Sequence, residues 1–321
     1  MNKDACNLLY LMMTYLLKRL LHGIPVIMGV MTISFIISYI IPGDPVLALV
    51  GDFYDEATID KLRVELGLNQ PIGIQYFTYI KNTVMGNLGQ SFQTRSSVLE
   101  LIIEKLSVTF TLAFLATFFA SIIGVIMGLI SALNYHKLFD RIFILISLIG
   151  ISAPVFWVAL MLIFWIGVEW RLLPPSGYGS LVYYILPVIA LGSQSLAMIA
   201  RNTRAFMLDV LKKDYMRTAK SKGLSNSKIL FKHGLRNLLV PVITIIAMDF
   251  GSYLSGAVLT ESIFGLPGIG RLLLNAIMQR DFPVIQGTVL FMALSFVFIN
   301  ILVDLVYGWV DPRIREEIIN G

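Results

Sequence analysis

Six stretches of this chain are long, apolar and almost free of charge. Leu20–Gly43, Leu106–Tyr135, Ile142–Val168, Leu172–Ala200 and Phe282–Val303 contain no Asp, Glu, Lys or Arg, and Leu238–Thr260 contains only Asp249. Each reaches the roughly 20 residues that an α-helix needs to cross a bilayer core of about 30 Å. A membrane β-barrel would instead show alternating segments of about ten residues, and these runs do not alternate. The expected fold class is an all-α integral membrane protein with six transmembrane helices.

Composition agrees. Hydrophobic residues make up 57% of the 321 and charged residues 14%, against about 25% charged in soluble domains. The first run is too long for a cleavable signal, and Ile41–Asp44 does not resemble a small-residue cleavage site, so the run is read as the first membrane helix. Cys6 is the single cysteine, which excludes an intramolecular disulfide. His22, His136 and His233 show no metal-ligand spacing. In a soluble chain the net charge of +5 would suggest nucleic acid. Here the sidedness of the basic residues explains it, and no nucleic-acid partner is expected.

With the N-terminus in the cytoplasm and six alternating helices, 17 of the 25 basic residues fall on the inner side and 8 on the outer. The opposite topology would violate the positive-inside rule. Both termini are therefore expected in the cytoplasm, with residues 209–236 as the largest inner loop. The division is residues 1–104 (first helix and an outer segment), 105–310 (a membrane domain) and 311–321 (a cytoplasmic tail). In the outer segment, Asp55 suits an N-cap for a helix carrying Ile59, Leu62 and Leu66, which Gly67 would end. Pro71 suits the first turn of a second helix carrying Tyr76, Phe77, Ile80 and Val84. Ser97–Glu100 has the capping-box pattern. These helices would lie against the outer face; a plain spacer is the alternative. Ser152–Pro154 should kink the third membrane helix, and Pro187 should do the same near the start of the fourth. Such kinks suit a cavity that opens and closes.

The inner loop carries the strongest functional signal. Residues 209–236 hold eight Lys or Arg against Asp209 and Asp214. Tyr215 and Ala219 are spaced to share a helix face, small Ala219 admits a partner backbone, and Gly223 can adopt the left-handed conformation that turns the chain. A second short helix would start near Ser225–Ser227. Two helices joined by a sharp turn make a protrusion able to transmit a push from a soluble partner. Attraction of a solvated basic loop to anionic lipid, about 1 kcal/mol per cation, is the alternative, and membrane lipid is an expected partner in either case.

The segment resembles the EAA loop of type I ABC importer permeases. Ala219 and Gly223 are kept, Arg217 and Thr218 stand where Glu and the first Ala would be, and Pro241 comes later than in the general form. These departures resemble the branch that imports dipeptides, oligopeptides, glutathione and nickel. So do Ile41-Pro-Gly-Asp-Pro-Val46, Leu66-Gly-Leu-Asn-Gln-Pro71, Gly86-Asn-Leu-Gly-Gln-Ser-Phe92, Ile185-Leu-Pro187, Ala200-Arg-Asn-Thr-Arg204, Glu261-Ser-Ile-Phe-Gly-Leu-Pro-Gly-Ile-Gly-Arg271, Arg280-Asp-Phe-Pro-Val-Ile-Gln286 and Val310-Asp-Pro-Arg-Ile-Arg315. The resemblance covers nearly the whole chain. It implies the type I permease fold in a bacterial cytoplasmic membrane. It also implies a second, homologous permease subunit, two cytoplasmic ABC ATPase domains at the 209–236 loop, and an outer substrate-binding protein. Tyr215, Arg217, Thr218, Ala219 and Gly223 are the candidate coupling residues. This chain would bind no cofactor, ATP and Mg being held by the partners, and would not be an enzyme. Gly265–Leu272 mimics the start of a phosphate-binding loop but lacks its Lys and its Ser or Thr.

An acid within the bilayer usually faces a cavity or a partner. Asp249, in the fifth run, is a candidate for the translocation path, where it would meet the ammonium of a peptide; pairing with a polar group on a neighbouring helix such as Asn300 or Ser255, or a carboxyl held neutral, is the alternative. Pro154 and Glu261 are the other path candidates, and Glu261 and Asp281 are placed on the outer side. Asp304 is read as structural. Three competitors stand beside the peptide importer. A nickel or metal-chelate importer shares its class. A stand-alone secondary transporter or channel would commonly carry two related halves, and none is seen. A membrane enzyme would need a catalytic constellation, and none stands out.

Overall fold

The computed structural model describes residues 3–40, 46, 56–65, 67–221 and 235–310. Among them all regular structure is helical, with one isolated bridge between Gln90 and Ser97. α1 spans Lys3–Ile40, and α2 (Glu56–Glu65) and α3 (Ile72–Val84) follow at one end of the bundle. α4 (Val98–Leu133) returns through it, followed by α5 (Leu138–Ser152) and α6 (Val155–Leu162), which continues as a π turn over Ile163–Glu169. α7 (Ile185–Leu211) runs to the end that carries the short α8 (Asp214–Ser221). α9 (Leu235–Leu254), α10 (Val258–Phe264), α11 (Ile269–Gln279) and α12 (Phe282–Val310) complete the described chain.

Four segments are long and apolar enough to cross a membrane unbroken: Lys18–Ile40, Val98–Leu133, Leu181–Leu211 and Phe282–Val303. Two further crossings arise if each bent pair is one span: Leu138–Ser152 with Val155–Glu169, and Pro241–Leu254 with Val258–Phe264. The first pair bends by 104° and the second by 59°. The expected kink at Pro154 is thus a full break. Proline pushes its predecessor out of the helical region, so Ala153 (φ −76°, ψ 124°) and Pro154 (φ −62°, ψ 136°) are both extended, and two extended residues turn the chain. Pro187 breaks nothing. It occupies the third position of α7, within the first turn, where a missing N–H costs no helical bond.

The centre of the fold is the pairing of α4 with α7. On α4 the residues Ala116, Ala120, Gly124, Gly128 and Ala132 recur every fourth position and form one small-residue stripe. A Cβ at Gly128 would stand 2.5 Å from the Ala200 carbonyl oxygen, and one at Gly124 would stand 2.9 Å from that of Leu196. Apolar burial gives no net driving force between helices in lipid, so close backbone approach and dispersion do the holding. Larger side chains close the core at one end of this pair: Leu112, Leu186, Phe264 and Leu266 are fully buried together.

The helices at the α3 end follow the sequence expectation in position but not always in mechanism. α2 ends with Gly67 at φ 69°, where the Leu68 amide donates to Arg63 O at 2.9 Å and the Gly67 amide to Val64 O at 3.1 Å. This is the Schellman pattern expected of that glycine. Asp55 lies outside the described residues. α3 begins directly after Pro71 and packs Tyr76 and Tyr79 on Phe35 of α1, while Phe77 and Val84 are exposed. Ser97 precedes α4 as expected, yet its side chain makes no capping bond; the Val98 amide is taken by Gly89 O at 3.1 Å.

Candidate functional site

α8 stands three residues beyond the end of α7, and its backbone carries Tyr215, Arg217, Thr218 and Ala219. Thr218 is exposed and its hydroxyl donates to Asp214 O at 3.0 Å. Gly223 and the expected second helix near Ser225–Ser227 lie outside the described residues. Sequence reasoning overlooked Met216. It is buried against Val210 and Leu211 of α7, so α8 is seated on the end of that helix. Its signal was an unbranched apolar residue within a polar, basic stretch.

Two turns back along α7 is a buried ion pair. Arg204 Nε donates to Asp140 Oδ1 at 2.6 Å and Arg204 Nη2 to Oδ2 at 2.9 Å. Ser131 Oγ donates to Oδ1 at 2.6 Å, and the His136 amide to Oδ2 at 2.9 Å. His136 takes a left-handed φ of 63°, a conformation that costs a non-glycine residue on the order of 1–3 kcal/mol and persists only where its surroundings hold it. The Arg204 guanidinium also lies 5.4 Å from the centre of the Tyr135 ring. One carboxylate, 2% exposed, therefore joins the end of α4, the turn after it, the start of α5, and α7.

Asp249 is half-buried on α9. Ser195 of α7 lies beside it, and the Ser195 hydroxyl meets that of Tyr253. Tyr253 in turn donates to Leu191 O at 3.0 Å. Asp249 Oδ2 has no partner among the described residues. Neither expected partner engages it: Ser255 bonds Gly251 O at 2.9 Å and Asn300 bonds Phe296 O at 2.8 Å. Both are i to i−4 contacts to their own helix. Beside Asp249, Phe250 meets Phe110 edge to face at 5.9 Å, and Phe110, Phe114 and Phe118 stack up α4 on an exposed face.

Glu261 sits differently from expectation. Its exposure is 0%, which leaves a passing substrate no surface to touch. Thr109 Oγ1 donates to Glu261 Oε1 at 2.7 Å, the Arg271 amide donates to Oε2 at 3.0 Å, and the Ile269 amide donates to Thr109 Oγ1 at 2.8 Å. A Cβ at Gly268 would stand 2.3 Å from Glu261 Cδ. The Glu261–Arg271 motif is thus a loop folded around its own first carboxylate. Asp281 repeats the device. Buried at 3% exposure, it accepts from Ser91 Oγ and from the amides of Phe92 at 3.1 Å and Gln93 at 3.4 Å. It joins the 86–92 motif to the 280–286 motif. A cleft of about 1000 Å³ opens beside this junction, between Phe35, Tyr39, Tyr79, Asn82, Gln90 and Gln286; none of the path candidates lines it. No group of three or more His, Cys, Asp or Glu among the described residues has metal-binding geometry.

The chain is thus built of bent spans around one tight helix pair, with a short helix seated on its end. The chain belongs to the family of binding-protein-dependent transport system inner membrane components. That family matches residues 120–316, and its N-terminal companion matches residues 12–113. The chain is 40% identical to the dipeptide transport system permease protein DppB of Alkalihalophilus pseudofirmus, over 95% of this chain and 100% of that protein. It is likewise 40% identical to the glutathione transport system permease protein GsiC of Escherichia coli K12, over the same shares. Among solved structures it resembles a chain of the MetNI methionine ABC transporter in an inward-facing conformation. The TM-score is 0.57 at 14% identity, over 66% of this chain and 97% of that one. The fold is that of a type I ABC importer permease.

Proposed function

We propose that this chain is the permease subunit of an ATP-driven importer of short peptides. The observation that carries this is end-to-end identity of 40% both to a dipeptide permease and to a glutathione permease. Those two named cargoes share a peptide backbone with a free amine and carboxylates. The chain works with a second, homologous permease, an outer substrate-binding protein, and two ATPase domains that hold ATP and Mg. It spans the inner membrane with both termini in the cytoplasm, an orientation supported by the basic excess on the α8 side. The ATPases meet the membrane at α8 and the residues that follow it, through Tyr215, Arg217, Thr218, Ala219 and Gly223. The seat of Met216 on α7 supports that role, since a push needs a rigid foot.

Access alternates between the two faces as the states of the ATPases favour one arrangement of the helices over the other. Asp249, with Ser195 and Tyr253 beside it and one carboxylate oxygen unmatched, is the residue of this chain that meets the peptide ammonium. Asp249→Asn is expected to slow uptake of peptides with a free amine. Unchanged uptake across the pH range would refute the assignment.

Cells lacking the gene, with and without its restoration, should be offered labelled dipeptide, longer peptide, glutathione and nickel in parallel. Restored, ATP-dependent uptake of a peptide is the expected outcome. Restoration of nickel alone would replace the cargo, and uptake that persists without ATPases would replace the machine.

A further inference from the structure

Helix α5 is fastened to α7 near both of its ends. Near its start Asp140 is gripped by Arg204. Near its end the Ile151 carbonyl, which loses its helical partner at the Pro154 break, accepts from Gln194 Nε2 at 3.4 Å. Between them a Cβ at Gly150 would stand 2.8 Å from that of Ala197, so the two backbones run in close contact. Arg204 and Gln194 are about 15 Å apart along α7 by helical rise. The same helix carries α8: Met216 packs on Val210 and Leu211, and the Lys213 amide, one residue before α8, donates to Val210 O at 3.1 Å. From Arg204 to Leu211 is about 10 Å of helix. Any displacement of α8 therefore reaches Arg204 through one stiff segment.

The contact at Arg204 is built to carry motion in more than one direction. Two parallel N–H···O bonds fix a guanidinium against rotation as well as translation, which a lysine ammonium does not do. Each oxygen of Asp140 takes two donors, so the carboxylate is committed to this one arrangement. For stability alone, a buried ion pair is readily matched by packed apolar residues. A device for transmitting motion is a better account of this one.

We propose that Asp140 is a positioning residue of the transport cycle. Held by Arg204, it passes the displacement of α8 into α5 and so to the bend at Pro154. The inference rests on the assignment of α8 as the ATPase contact.

The test uses the whole transporter in liposomes, with its second permease, ATPases and binding protein. Three quantities are read: ATP hydrolysed, labelled dialanine and labelled glutathione accumulated, and cross-linking of the ATPases to a cysteine at the exposed Lys213 (Lys213→Cys). Asp140→Asn keeps the shape and removes the charge; Arg204→Lys keeps the charge and removes the fork. With cross-linking and hydrolysis retained, cargo accumulated per ATP is expected to fall about twentyfold in Asp140→Asn and about fivefold in Arg204→Lys, within the range of coupling between distant sites. Unchanged cargo per ATP in both variants overturns the proposal. So does a parallel loss of hydrolysis and uptake in the milder Arg204→Lys, which would leave the pair a merely structural role. Absence of cross-linking in the otherwise unaltered transporter refutes the placement of the ATPases at α8 instead, and so is told apart from failure of the proposal.

Discussion

Glu261 and Asp281 each organise a loop by presenting a buried carboxylate to backbone amides. Such a group is held in the interior by its donors, and removing it strands them. Glu261→Ala leaves the Thr109 hydroxyl and the Arg271 amide without their acceptor, at a cost of about 3 kcal/mol. A marked fall in the melting temperature of the purified protein in detergent is the expected result. Glu261→Gln, which keeps the volume and the acceptor oxygen, should fall by less. At this scale the sequence was least legible. Glu261 and Thr109 are 152 positions apart, and Asp140 and Arg204 are 64 apart. Nothing local distinguishes a loop acid that will be buried from one that will meet solvent. The motifs themselves were visible as residues; that each is folded around a carboxylate was not.

Among the elements, the membrane spans were legible because their cause is local: absence of charge over some 20 residues is read directly. The break at Pro154 was expected as a kink, since proline chemistry is local while the angle is set by what the two arms pack against. The small-residue stripe of α4 was present at a period of four, yet the tightest pairing in the fold was overlooked. Its meaning depends on α7 lying opposite. Gly128→Val would drive methyl groups into the Ala200 carbonyl and the Thr203 side chain. It is expected to separate α4 from α7, seen as loss of the monodisperse species on size exclusion in detergent. Further along the chain, Gly223→Ile should leave membrane insertion intact while weakening ATPase docking, measured by co-purification of the ATPases. Full co-purification and full transport in that variant would argue against a turn at Gly223 acting in coupling.

For the whole molecule, charge sidedness gives a testable orientation. In a Cys6→Ser background, a cysteine replacing Thr218 should react with a membrane-impermeant maleimide only after the cytoplasmic face is opened. One replacing Phe77, on the exposed side of α3, should react in intact spheroplasts. The reverse pattern would invert the topology. The proposed orientation rests on the sidedness of Lys and Arg, which is read without a structure. The translocation surface is less legible: in the proposed pairing with a second permease, one chain presents only half of the wall.

The bend between α5 and α6 has a mechanical consequence. Two arms bent by 104° from a straight line act as a bell crank: a short stroke along one arm emerges almost at right angles along the other. A thrust normal to the membrane, entering through α5, would leave through α6 as a sweep within the membrane plane, the direction in which a passage must widen or close.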